Sequence, residues 1–171
     1  MNYKVLISDN LSKVILNCFR NEGIYVDYLP EMGKDNSLLS NEIHKYDGIA
    51  IRSDTIINAE VLNKASKLKV IGRAGIGVDN IDLFTASNKG IVVMNTPFGN
   101  AITTAEHTLA MIFAASRQIP AADHSTRNGK WEKSKFLGQE LTGKTLGLIG
   151  VGNIGSIVAD RALGLKLKVK A

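Results

Sequence analysis

LGLIGVGNIGSIVADRALG, residues 146–164, decides how this chain folds. A short apolar run of strand type, LGLI, leads into Gly150, Gly152 and Gly155 in the spacing G-x-G-x-x-G, and an apolar stretch of helical length follows. Strand, glycine turn and helix in that order open a dinucleotide-binding unit. The first glycine permits the tight turn, the second lets a pyrophosphate approach the backbone, and the third lets the helix pack on the strand. The helix predicted from about Ile154 to Leu163 offers its N-terminal N–H groups and positive dipole end to the phosphates. A glycine turn that binds nothing is the plainer alternative, but three glycines at this spacing are costly unless a close backbone approach needs them.

Upstream, short β-branched runs alternate with amphipathic stretches, the pattern of parallel βαβ units. KVLISD (residues 4–9), YVDYL (25–29), GIAIR (48–52), LKVIG (68–72) and IVVMN (91–95) are predicted strands. The first lies within MNYKVLISDN, residues 1–10, which lacks the charged and apolar regions of a signal peptide. Leu11, Val14, Ile15, Cys18 and Phe19 recur at helical spacing before a stop at Gly23. Further helices are predicted over residues 36–46, around 59–65, and over 81–88, the last capped by Asp79 or Asn80 and stopped by Gly90. Five such units make one small doubly wound α/β domain.

TPFGN, residues 96–100, interrupts both periodicities. Asn100 then caps a predicted helix from Ala101 to about Gln118, closed by Pro120. It is apolar on more than one face (Ile102, Leu109, Met111, Phe113), as expected of a helix buried between domains or subunits. A basic arm, RNGKWEKSK (127–135), precedes a new strand near Thr145, and a further strand begins within residues 165–171. The expected organisation is one domain over residues 1–98 and the first part of another over 99–171.

The 171 residues, 44% of them hydrophobic, suffice for one domain and part of a second. The single cysteine, Cys18, cannot close an internal disulfide, which points to a reducing cytoplasm. The longest unbroken apolar run, residues 109–115, is far shorter than the roughly 20 residues of a membrane span, so no membrane role is expected. A net charge of +5 raises nucleic acid as a partner, with the arm around Trp131 as the densest basic patch. Like charges on one short loop are ordinarily just solvated or at a subunit contact, and no nucleic-acid partner is expected. His44, His107 and His124 lack metal-ligand spacing and a cysteine partner, so no metal is expected either.

A second glycine-rich turn, GRAGIGVDN (residues 72–80), follows the fourth predicted strand. Gly75 and Gly77 leave backbone N–H groups accessible, and Arg73 sets a bidentate cation beside them, which suits a carboxylate or phosphate. Arg52, with Ser53 next to it, ends the third strand on the same sheet edge, where open α/β sheets bind ligands. Two surface arginines beside an ordinary βα turn fit the pattern equally well.

With RSDTI, VIGRAGIGVDNID, IVVMNTPFGN, TTAEHTLAMIFAASRQIP, GKWEKSKFLG and LTGKTLGLIGVGNIG in order, the sequence resembles the D-2-hydroxyacid dehydrogenases over about residues 49–164. The resemblance implies a flavodoxin-like substrate-binding lid over residues 1–98, completed in the family by a far C-terminal helix. Residues 99–171 then begin a Rossmann NAD-binding domain, whose helix and arm (101–140) pack on a partner subunit in a homodimer or homotetramer. Substrate contacts are implied at Arg52, Ser53, Arg73 and Gly75, and a cofactor contact at Ile76, where threonine is usual. Pyrophosphate contacts of NAD are implied at Gly150, Gly152, Asn153, Ile154 and Gly155. Lys133 stands where some relatives carry an arginine that reaches the neighbouring subunit's substrate phosphate, and it keeps the charge without the fork.

The branch most resembled uses NAD to oxidise a phosphorylated 2-hydroxy acid. Branches for glyoxylate, lactate or formate, and an NAD-sensing or scaffolding module, are the alternatives. The family's catalytic Arg, Glu and His, and the acidic residue that separates NAD from NADP, lie downstream of the fingerprint. The expectation is therefore an N-terminal portion of a longer enzyme, inactive by itself.

Overall fold

The computed structural model describes residues 3–171; Met1 and Asn2, from the stretch assigned to the first strand, lie outside the described residues. The chain divides into two compact units, Met1–Gly99 and Asn100–Ala171.

In the first unit, strands β1 (Lys4–Ile7), β2 (Tyr25–Tyr28), β3 (Gly48–Ile51), β4 (Val70–Arg73) and β5 (Val92–Asn95) form one parallel sheet in the order β2-β1-β3-β4-β5. All five overlap the predicted runs, and β4 runs one residue past its run to take in Arg73. A parallel sheet needs cover on both faces, and the alternation of side chains divides the core accordingly. Leu6, Ile49, Ile51 and Ile71 join Leu39, Val61, Leu62 and Ala86 in one cluster, under α2 (Asn36–Glu42), α3 (Ala59–Lys64) and α4 (Leu83–Asn88). Ile7 and Ala50 face the other way and meet Ile15, Leu16 and Phe19 of α1 (Val14–Asn21).

The helix ends carry several differences from expectation. α4 is capped by Asp82, which accepts the Thr85 N–H at 3.0 Å, rather than by Asp79 or Asn80. The start is delayed because Ile81 is held in a parallel bridge to Ile57. Asp35 and Asn58 cap α2 and α3 in the same way. α2 stops at Glu42 and tightens into a 3₁₀ turn, Ile43–Lys45, instead of running on to Tyr46. Leu11 is buried ahead of α1, whereas Val14 and Cys18 are exposed, so the inward stripe is Ile15, Leu16 and Phe19. Gly23 and Gly90 take the left-handed conformation that ends α1 and α4.

The second unit contains α5 (Ala101–Ser116), α6 (Ile119–Arg127), a 3₁₀ turn at Lys133–Phe136, β6 (Thr145–Gly147), α7 (Asn153–Gly164) and β7 (Lys168–Lys170). β6 and β7 pair in parallel through the α7 crossover. α5 lies against α7, where Ala101, Ala105, Val158 and Ala162 are buried, and Arg161 pairs with Glu106 at 2.8 Å. The predicted helix to about Gln118 ends at Ser116, and a second helix not predicted from the sequence, α6, follows at once. Gln118 turns left-handed at φ 54°, and Pro120 sits in the first turn of α6, where its missing N–H costs nothing. Asn100 makes no side-chain cap. Among the described residues no helix is long and apolar enough to cross a membrane.

Near the amino ends of the strands, the buried Tyr46 hydroxyl donates to Asp27 Oδ2 at 2.8 Å, and Lys4 Nζ meets the same oxygen at 2.8 Å. The Lys4 ammonium and then the Tyr46 hydroxyl hold the Asp27 carboxyl below its ordinary value of 3.8. Burial, then Asp27, push the Tyr46 phenol above its ordinary 10.0. The Asp27 contribution to stability is thus present above about pH 4 and lost as pH falls, while that of Tyr46 is present below about pH 10 and lost as pH rises. Tyr46→Phe is expected to shrink both declines in a plot of thermal midpoint against pH, most clearly on the alkaline side.

Candidate functional site

In the first unit the strand order turns back between β1 and β3, and ligands of open α/β sheets bind at the carboxyl ends flanking such a point. Asp9, 2% exposed, follows β1, and Arg52 follows β3. The Arg52 N–H donates to Asp9 Oδ2. Asn80, in the loop after β4, donates through Nδ2 to the carbonyls of Arg52 and Thr55, each at 2.7 Å. Beneath them Ser8 Oγ and Thr55 Oγ1 are 2.9 Å apart, and Gly33 packs so closely that a Cβ there would stand 2.5 Å from the Ser8 carbonyl oxygen. The Arg52 side chain is exposed and, among the described residues, has no ion-pair partner. Ser53 is exposed beside it, its hydroxyl 3.4 Å from Asp54 Oδ1.

Arg73 lies opposite Ile51 in the β3–β4 register, one residue short of Arg52, so the two arginines do share an edge. Its fork does not project. Nη1 donates to the Gly77 carbonyl, the side chain is only 11% exposed, Nη2 lies 3.9 Å from Asp79 Oδ1, and Nε is buried without a partner. The loop it braces is also tied to the end of β5. Asn95 Nδ2 donates to the Ile76 carbonyl at 2.8 Å, and the Thr96 N–H to the Gly75 carbonyl at 2.9 Å. Asp9 and Asn80 were not among the sequence-predicted site residues. In the sequence Asp9 stands out only as the last residue of the strand-like run KVLISD, and Asn80 only as a candidate helix cap.

In the second unit the three glycines do three different things. Gly150 has φ +92°, a conformation that L side chains rarely adopt. Gly152 is extended, at φ −84° and ψ −155°, and a Cβ added there meets nothing within 4 Å, leaving the open approach a pyrophosphate needs. A Cβ at Gly155 would stand 2.3 Å from the Gly150 carbonyl oxygen, the close packing of helix on turn that the motif predicts. α7 begins at Asn153, with Ile154 next, and no side chain caps its first turn. The residues present therefore fit a dinucleotide pyrophosphate.

Lys133 lies exposed in the 3₁₀ turn of the arm. The basic run is not one free loop. Arg127 ends α6 in a pair with Asp123, and Ser125 Oγ donates to Glu132 Oε2 at 2.7 Å, which lowers the Glu132 carboxyl below its ordinary value. Trp131 is 84% exposed. Among the described residues no group of His, Cys, Asp and Glu is arranged to hold a metal ion.

The family model for the D-isomer specific 2-hydroxyacid dehydrogenase, catalytic domain, matches residues 5–162. The chain belongs to that family. It is 47% identical over 168 residues to D-3-phosphoglycerate dehydrogenase of Archaeoglobus fulgidus, covering 98% of this chain and 32% of that protein. It is 47% identical over 165 residues to the human enzyme of that name, covering 96% and 31%. The chain thus spans about a third of the length of these curated relatives. The NAD+-bound 3-phosphoglycerate dehydrogenase of Entamoeba histolytica superposes with a TM-score of 0.79 at 30% identity, over 99% of this chain and 53% of that one.

The unequal space around the glycines yields a stability contrast. Gly155→Ala forces a backbone carbonyl aside and is expected to cost about 1–3 kcal/mol of unfolding free energy, whereas Gly152→Ala is expected to stay within about 0.5 kcal/mol of the parent. Urea denaturation of the two variants, followed on the second unit, compares them directly.

Proposed function

We propose that the intact protein oxidises D-3-phosphoglycerate to 3-phosphohydroxypyruvate with NAD, the first step of L-serine biosynthesis. The observation that carries this is the glycine turn, whose open approach at Gly152 and uncapped helix start suit a pyrophosphate. The choice of substrate is supported by relatives named D-3-phosphoglycerate dehydrogenase at 40–47% identity. The exposed cations Arg52 and Lys133 suit an acid with two anionic ends.

In this assignment residues 99–171 begin the nucleotide-binding domain and residues 1–98 form most of a substrate-binding lid. NAD, when bound, supplies the hydride acceptor. Gly150 sets the turn, Gly152 and Gly155 let backbone and phosphates close up, and the N–H groups of Asn153 and Ile154 meet the pyrophosphate. Ile76 contacts the cofactor through apolar surface alone. Arg52 and Ser53 take one anionic group of the substrate. Arg73 and the backbone at Gly75 take another, with Nη2 giving up its long contact to Asp79, which is 87% exposed and holds the arginine weakly. Lys133 reaches the phosphate bound by a neighbouring subunit, in a homodimer or homotetramer built through the 101–140 helix and arm, in the cytoplasm.

The family's proton-exchanging histidine, the glutamate that raises its pKa and the arginine that grips the carboxylate are expected downstream of the fingerprint, so turnover is assigned to the intact protein. Purified residues 1–171 are expected to give no phosphoglycerate-dependent NADH. In the intact protein that activity is expected, and its absence, or a preference for an unphosphorylated hydroxy acid, overturns the substrate assignment. There, Gly152→Ala is expected to raise the KM for NAD about tenfold, or about 1.4 kcal/mol. Lys133→Ala is expected to raise the KM for phosphoglycerate by a similar factor, while leaving that for unphosphorylated glycerate unchanged.

A further inference from the structure

The backbone of Arg52 is gripped from both sides by side chains that arrive from distant parts of the sequence. Its N–H is taken by Asp9, 43 residues earlier, and its carbonyl by Asn80, 28 residues later. Both grips carry an electrostatic cost. Asp9 is 2% exposed and its second oxygen, Oδ1, is buried without a partner; the Asn80 Oδ1 is likewise buried and unpartnered. A buried polar side chain with an unsatisfied oxygen is destabilising relative to an apolar side chain of similar size. Two such groups converging on one residue's peptide atoms are therefore poorly explained by packing alone.

Their geometric effect is specific. Holding both the N–H and the C=O of Arg52 fixes its backbone torsions, and with them the direction of its Cα–Cβ bond. The guanidinium itself is left exposed and without an ion pair among the described residues. Arg73 is the opposite case, since its own side chain is spent bracing the Gly77 carbonyl. Arg52 also sits at the point where the strand order turns back, where a ligand is met.

We propose that Asp9 and Asn80 are positioning residues that pre-aim Arg52 at the anionic group it binds, so that the backbone and Cα–Cβ direction of the arginine are fixed before the substrate arrives. This rests on the assignment of Arg52 to the substrate. Pre-aiming lowers the entropy lost on binding, so its removal should appear in the affinity for the substrate and not in that for the cofactor.

The test uses steady-state kinetics of the full-length protein with D-3-phosphoglycerate and NAD. Asp9→Ala and Asn80→Ala are each expected to raise the KM for phosphoglycerate about tenfold, with the KM for NAD within about twofold of the parent. Asp9→Asn keeps an oxygen for the Arg52 N–H and is expected to recover most of the loss. On an Arg52→Ala background, Asn80→Ala is expected to add less than about twofold, because nothing remains to be aimed. If Asp9→Ala does not fold, Asn80→Ala, at a half-buried position, carries the same comparison. A full effect of Asn80→Ala on the Arg52→Ala background, or equal losses for substrate and cofactor, overturns the positioning role. An Arg52→Ala variant with unchanged KM for phosphoglycerate instead removes Arg52 from the substrate site, and the inference with it.

Discussion

The reversal of strand order between β1 and β3 is the constraint on which the first unit depends. β1 is followed by a helix on one face of the sheet, and the later crossovers cover the other, so the carboxyl ends of these two neighbouring strands are left without a helix drawn over them. Arg52 lies just past the end of the ladder, and its N–H needs a partner that no strand supplies. Asp9 is that partner. Once the Arg52 peptide is anchored, Asn80 can bridge it to the loop after β4, and the parallel bridge Ile57–Ile81 keeps the two loops in step.

The two glycine-rich turns solve one problem by different means. GRAGIGVDN is held from outside, by Arg73 on the Gly77 carbonyl, Asn95 on the Ile76 carbonyl and Thr96 on that of Gly75. GVGNIG is held by its own backbone, through the dihedral of Gly150 and the near contact at Gly155. The supporting cores differ as well. Both clusters of large buried side chains belong to the first unit, whereas the fully buried residues of α5 and α7 are alanines and one valine. Burial of such small groups contributes little per residue, so less of the second unit's cohesion comes from apolar area.

The strands and the strand–turn–helix around the glycines were legible because each is a local pattern. Alternation, β-branched runs and glycine spacing all act within about ten residues. What escaped was set by contacts or backbone turns that the residue types alone do not announce. Asp79 and Asn80 suit a helix cap on local grounds, but the bridge from Ile57 to Ile81 moves the start of α4 to Asp82. Pro120 reads as a stop, yet a left-handed Gln118 just before it turns the same proline into a start. Arg73 reads as a projecting fork because nothing in its neighbours announces that a carbonyl four residues on will claim it. Asp9 and Asn80 acquire their importance only when partners 43 and 28 residues away arrive.

Three glycines that look equivalent in a motif are answerable to three different things. Position 150 answers to backbone torsion, position 155 to the carbonyl it presses on, and position 152 to neither, since a methyl group there meets only open space. A descendant of this protein under no demand to bind a nucleotide would be free to change residue 152 at once, while 150 and 155 stayed glycine as long as the fold survived. Loss of the middle glycine with both neighbours kept would thus be the earliest mark, in a diverging lineage, of a turn that had outlived its ligand.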